Sequence, residues 1–119
     1  MSKTPPVMDT KTLSAAFSLL FRQGRSPPSC PAPDDVDLLN RIRDAVPEVS
    51  PAVCREALIR VRRLSFDAAE IGCGFRDGQY GKGESAMAAA LAELEEKNPG
   101  FSIAEYRTAF AVGQMWAGL

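Results

Sequence analysis

Histidine is missing from this chain of 119 residues, and cysteine is scarce. Without histidine the chain has no imidazole to act as a general base, a metal ligand or a pH-sensitive group. The three cysteines, Cys30, Cys54 and Cys73, are too few and too widely spaced for a disulfide framework or a zinc site. Cys73, between two glycines, is the only plausible nucleophile, and it has no histidine to activate it. We therefore predict a non-catalytic protein with no metal site and no cofactor.

Long apolar runs and a strong net charge are also missing. The formal net charge is −1, which argues against general affinity for nucleic acid or membrane surfaces. No apolar run approaches the roughly 20 residues that a transmembrane helix needs, so we expect no membrane-spanning segment. Residues 13–21 have the apolar character of a signal-peptide core, but the residues that follow are Arg22, Gln23, Gly24 and Arg25, not a small-residue cleavage site. We therefore predict a cytoplasmic location.

Helical spacing of apolar residues recurs along the chain, whereas no segment alternates long enough for a convincing strand. This pattern predicts an all-α fold, a small bundle of about five helices around a long central helix at about 51–71, with no sheet. Ser50 and Pro51 form a strong start for that helix, and Ser102 with Glu105 forms a capping box for the last one. The predicted helices cover residues 10–23, 35–46, 51–71, 84–97 and 103–117. A break in the central helix near residues 64–66 is an alternative.

The length predicts one domain with a single hydrophobic core. Residues 1–9 include two adjacent prolines and little apolar surface, so we expect a flexible tail. Residues 10–119 then form a single helical domain that contains a proline-rich linker at 24–33, where four of ten residues are proline. A stiff linker leaves two arrangements open: helix 10–23 packs on its own chain or on another subunit.

Five glycines lie between residues 72 and 83. A phosphate-binding loop is disfavoured, because such loops follow a buried strand and this segment follows a helix. We predict that the last three glycines form a turn, and that Gly72 and Gly74 let the alanine-rich helix 84–97 pack closely on the central helix. The sequence leaves open whether the turn also has a function.

The central helix has two different faces. Its apolar residues recur at helical spacing on one broad face that we expect to be core. They are Val53, Cys54, Ala57, Leu58, Val61, Leu64, Ala68, Ile71 and Gly72. The opposite face is rich in arginine, but Ile59 and Phe66 also lie there, seven residues apart. Either a second helix of the domain covers this pair, which is the favoured interpretation for a central bundle helix, or the pair is an exposed contact patch.

Two functions fit these features. The preferred hypothesis is a helical protein that acts by binding another protein, as an adaptor, inhibitor or regulatory subunit, or by self-association as a homodimer. Its predicted partner-binding residues are Arg55, Ile59, Arg60, Arg62, Arg63 and Phe66. The alternative is a helix-turn-helix regulator that binds nucleic acid through the arginine-rich helix 51–63. Against it, the first turn of that helix, residues 51–54, carries no base-reading side chain.

Overall fold

The computed structural model describes residues 10–22 and 35–117, and for residues 22, 35 and 115–117 it describes only the backbone. The predicted tail at 1–9, the predicted linker at 24–33 and Cys30 lie outside the described residues. Within them the protein is an all-α bundle without a strand, as predicted. Its five helices are α1 (Thr10–Arg22), α2 (Asp35–Ala45), α3 (Pro51–Arg76), α4 (Gly83–Lys97) and α5 (Ile103–Ala117).

Local capping signals set the helix starts that the sequence predicted. The Ser50 Oγ accepts a hydrogen bond from the Val53 backbone N–H at 3.4 Å, and Pro51 occupies the first helical position. At α5, the Glu105 N–H donates to the Ser102 Oγ at 3.1 Å, while the Ser102 N–H donates to the Glu105 Oε1 at 2.8 Å. These reciprocal bonds confirm the capping box.

Helix α3 is the centre of the bundle and contacts each of the other four helices. It is unbroken through residues 64–66, because the buried stripe of Val61, Leu64 and Ala68 keeps one helical register on both sides of that point. It also ends at Arg76, five residues beyond the predicted end at 71. Of the predicted core face, only Val53 is half-buried; the other eight residues are buried.

Helix α1 packs on its own chain, against α3 and α2. Leu13, Ala16 and Phe17 are buried, and the ring of Phe17 stacks on that of Phe21 with 4.3 Å between centroids. The Ser14 hydroxyl also donates a hydrogen bond to the Glu105 carboxylate at 2.8 Å, which ties α1 to the start of α5. The arrangement on another subunit is therefore not the one that the structure shows.

The glycine-mediated contact between helix backbones joins α3 to α5, and not α3 to α4 as predicted. A Cβ built on Gly72 would lie 3.1 Å from the backbone of Gly113 and Gln114 in α5. A Cβ built on Gly113 would collide with the backbone of Ala68 and Ala69 in α3. The prediction was correct that Gly72 allows a close approach, but it assigned the wrong helix, because the second glycine of this contact, Gly113, lies in α5. Several alanines of α4 are instead exposed.

Candidate protein-binding surface on helix α3

One stripe of α3 remains uncovered by the other four helices. It contains Ile59 and Phe66, whose side chains are 45% and 65% exposed. Seven residues separate them, so they lie nearly above one another and about 10 Å apart along the helix axis. The favoured prediction, that a second helix of the domain covers this pair, is wrong. Helix α1, for example, packs against the buried side of α3 and leaves this pair exposed.

The exposure of Phe66 is not required by the fold. Fully burying a phenylalanine side chain stabilises a protein by about 1.5–3 kcal/mol relative to leaving it in water. This chain leaves most of that contribution unused at Phe66, although its neighbours on α3, Leu64 and Ala68, are fully buried. A polar residue at position 66 would therefore be compatible with the same bundle.

Three of the four predicted arginines flank this apolar pair. At about 100° per residue, Arg55 and Arg62 lie on one side of the Ile59–Phe66 line and Arg63 lies on the other. Arg55 and Arg63 are exposed, and Arg62 is half-buried. We call these five residues the outer face of α3. The structure therefore brings together five of the six residues that the sequence analysis selected.

Arg60 is the residue that does not belong to the outer face. It lies about 100° around the helix from Ile59 and is half-buried. Its Nε donates a hydrogen bond to the Glu56 carboxylate at 3.1 Å, one turn earlier in α3. The charge of Arg60 is therefore matched within its own helix, although the helical spacing predicted this residue on the same face as the other three arginines.

The uncovered stripe continues beyond the outer face to residues outside the predicted partner-binding set. The seven-residue spacing of Ile59 and Phe66 extends back to Ala52 and forward to Cys73, and both are exposed. This periodicity was present in the sequence and could have identified them. Glu70 lies beside Cys73 on the same stripe and is also exposed. The uncovered stripe therefore runs along nearly the whole of α3.

The charge of the outer face is positive over its first two thirds. Arg55, Arg62 and Arg63 lie there, and Glu70 is the acidic residue at the far end. On α4, the Lys97 Nζ lies 3.2 Å from the Glu93 Oε2, and this contact is the main cause of the raised pKa of Lys97.

The glycine-rich turn between α3 and α4 has a structural explanation. Gly78, Gly81 and Gly83 have φ values of 84°, 94° and 78°, which glycine adopts without strain. Tyr80 fastens the turn to α4 by donating a hydrogen bond to the Glu93 carboxylate at 2.8 Å. Burial, followed by this bond, raises the pKa of Tyr80 to about 12, so its hydroxyl remains a donor at neutral pH. The predicted turn is confirmed.

Other classes of site find little support in the described residues. No group of three or more Cys, Asp and Glu side chains there is placed to hold a metal ion. No helix within these ranges is long and apolar enough to cross a membrane. Cys54 is fully buried, and burial raises the pKa of its thiol, so it acts as a small apolar side chain. An open, polar depression beside the end of α2 is lined by Asn40, Arg43, Asp44 and Pro47.

Comparison with known proteins finds no matching family model, and no curated protein or solved structure matches the chain at a significant level. The outer face of α3 is therefore the strongest basis for a functional proposal.

Proposed function

We propose that this chain is a non-catalytic protein-binding domain, an adaptor, inhibitor or small regulatory subunit, and that it binds its partner through the outer face of α3. The observation that carries the proposal is the 65% exposure of Phe66 on the helix that every other helix contacts. Protein interfaces are enriched in aromatic residues and arginine, and the residues that contribute most to binding are often of these types.

Single exposed apolar residues are common on soluble proteins and need no explanation. Ile103 illustrates this, because it is 69% exposed at the first position of α5. The outer face of α3 differs in two respects. Its two large apolar side chains are adjacent on one line, and they lie on a rigid helix whose other side is fully packed. A preformed surface of this kind loses little conformational entropy on binding.

The free thiols of Cys54 and Cys73 favour placing this function in the cytoplasm, where cysteines are kept reduced.

The nucleic-acid alternative has less support from the geometry. Arg60 is engaged by Glu56, and the exposed first turn of α3 presents Pro51 and Ala52, which cannot hydrogen-bond to base edges. Binding of duplex DNA by the wild-type chain at low salt, with loss in the double variant R62E/R63E, would favour that alternative.

Replacing Phe66 with serine tests the proposal, because the side chain contributes little to folding. We expect the free energy of unfolding to change by about 0.5 kcal/mol or less, as is usual for surface substitutions. Removal of an aromatic residue from the centre of an interface typically weakens binding by about 2 kcal/mol or more, which is more than tenfold. We therefore expect F66S to capture at least about tenfold less of the partner protein than the wild type does from extracts of the source organism.

The matched control is Ile103→Ser, which removes an equally exposed apolar side chain from a different helix. It should retain the captured protein at the wild-type level. If F66S captures the same proteins in the same amounts as the wild type and I103S, the outer face of α3 is not the binding surface.

A further inference from the structure

We infer that the partner of the outer face of α3 is the uncovered side of α4 in a second copy of this chain. This inference rests on the proposed function and specifies the partner. The apolar residues and the charges that the two helices expose support it, together with the charges that the other helices expose.

Helix α4 has an uncovered side as well as the buried stripe of Ala86, Ala90 and Leu94. Four apolar residues form a patch on the uncovered side, with one glutamate a turn before the patch and another a turn after it. Three of the four are exposed, and the fourth, Leu91, is half-buried. The six residues, which we call the outer face of α4, are Glu84, Met87, Ala88, Leu91, Ala92 and Glu95.

The two outer faces carry opposite charges. On α3, Arg55 and Arg63 are exposed, one turn before Ile59 and one turn after it. On α4, Glu84 and Glu95 are exposed at the two ends of the apolar patch. Opposite charges beside an apolar seam favour the pairing of two helices and speed their association at low salt. The outer face of α4 in one copy is therefore complementary, in charge and in apolar content, to the outer face of α3 in another.

Within the described part of the chain, apolar residues exposed on the other helices do not have acidic residues placed in this way. Ile103 on α5 is followed one turn later by Arg107. Val36 on α2 lies next to Asp37, whose carboxylate is paired with Arg41 at 3.1 Å. Helix α4 is therefore the described helix that best complements the outer face of α3.

The spacing of the charges suits an antiparallel pair of these two helices. When Ile59 lies on Leu91 of the second copy, Arg55 faces Glu95, because each is one turn away in the matching direction. Beyond Ile59, Arg63 then comes within about one turn of the glutamate at the start of the second copy's α4. Both arginines therefore reach a glutamate while the apolar residues between them are in contact.

Pairing of α3 with α4 joins two unlike faces. Each copy of a pair therefore keeps one unoccupied face, and association continues beyond a dimer to a ring or an open chain. Pairing of two α3 outer faces is disfavoured, because placing Ile59 on Phe66 of the second copy brings Arg63 next to its own counterpart. The inference thus predicts a specific pattern of self-association, which depends on both helices.

Two charge-reversed variants of the full-length chain test the inference. R55E/R63E alters only the outer face of α3, and E84K/E95K alters only the outer face of α4. All four side chains are exposed, so both variants should fold as the wild type does, which circular dichroism verifies. We expect the wild type to associate with increasing concentration at low salt, measured by sedimentation velocity. Each variant should associate at least about tenfold more weakly, because its two faces carry the same charge.

Two controls separate this contact from a general effect of net charge. The quadruple variant that combines all four substitutions keeps the net charge of the wild type and exchanges the signs of the two faces. It should associate about as strongly as the wild type. R43E/R107E has the same net charge as R55E/R63E but reverses exposed arginines on α2 and α5, so it should not recover or lose the contact and should also match the wild type.

Each other outcome overturns the inference in an identifiable way. A wild-type chain that stays monomeric at every concentration tested would exclude a second copy as the partner, while the capture experiment with F66S and I103S would still decide the proposed function. Association that is lost in R55E/R63E and F66S but survives in E84K/E95K would show that α3 pairs with a surface other than α4. Equal association of all the variants would place the contact outside both outer faces.

Discussion

Replacing Gly113 with alanine should lower the free energy of unfolding by about 1–3 kcal/mol, the usual cost of overpacking a core. The new Cβ would collide with the Ala68 carbonyl group, lying 2.6 Å from its carbon, and would lie 2.9 Å from the Ala69 nitrogen. Backbone atoms of a packed helix cannot rotate away, so α3 and α5 must separate. The loss would appear even though alanine favours a helix over glycine by about 1 kcal/mol.

Gly74→Ala is the matched control for this prediction. A Cβ at position 74 would lie 2.7 Å from the Oε1 of the Gln79 side chain, which can move, and 3.5 Å from the Tyr80 ring, which is an ordinary contact. We expect G74A to be neutral or to stabilise the protein by up to about 1 kcal/mol through helix propensity. Urea unfolding followed by circular dichroism measures both variants. A G113A variant as stable as G74A would show that α3 and α5 do not cross at these glycines.

Replacing Tyr106 with alanine should cost about 3–5 kcal/mol, as is usual for removal of a buried aromatic side chain. Tyr106 is 4% exposed, and its ring packs edge-on against Phe101 with 5.9 Å between centroids. Its hydroxyl donates to the Asn98 carbonyl at 2.7 Å and accepts from the Phe101 N–H at 3.2 Å. The Tyr106 side chain therefore stabilises the connection between α4 and α5 by bonding to the backbone on both sides of it.

Tyr106→Phe separates the hydrogen bonds from the packing. It keeps the ring and leaves the two backbone groups without their partner, so we expect a loss of about 1–3 kcal/mol. Tyr80→Phe is the control, because its hydroxyl bonds to the Glu93 side chain, which solvent can reach. That variant should lose about 1 kcal/mol or less. Equal losses for Y106F and Y80F, measured by the same urea unfolding, would contradict the role assigned to the Tyr106 hydroxyl.

The features of this fold that depend on residues close together in the sequence were predictable. Ser50 before Pro51, and Ser102 three residues before Glu105, fixed two helix starts because caps act over a single turn. The extension of α3 to Arg76 was missed, since Gly72 and Gly74 are weak helix formers whose place is explained only by contacts made elsewhere in the fold.

The residues of the candidate site could be predicted from the sequence, but their exposure to solvent could not. The seven-residue spacing of Ile59 and Phe66 follows from the helical period alone. Whether another helix covers them depends on the direction that α1 takes, which local patterns do not specify. The ion pair of Arg60 with Glu56 was not predicted, because a segment rich in arginine does not indicate which of its arginines has a partner on its own helix.

The most direct test of the account is site-specific photo-crosslinking in the source organism, with benzoylphenylalanine in place of Phe66. The probe substitutes one exposed aromatic side chain for another, so the bundle should fold as before. A parallel sample carries the probe at Ile103, which is equally exposed on α5. A protein-binding outer face of α3 predicts a crosslinked adduct of one discrete mass from position 66 that is absent from position 103. Identical adducts from both positions, or no adduct from position 66, would contradict it.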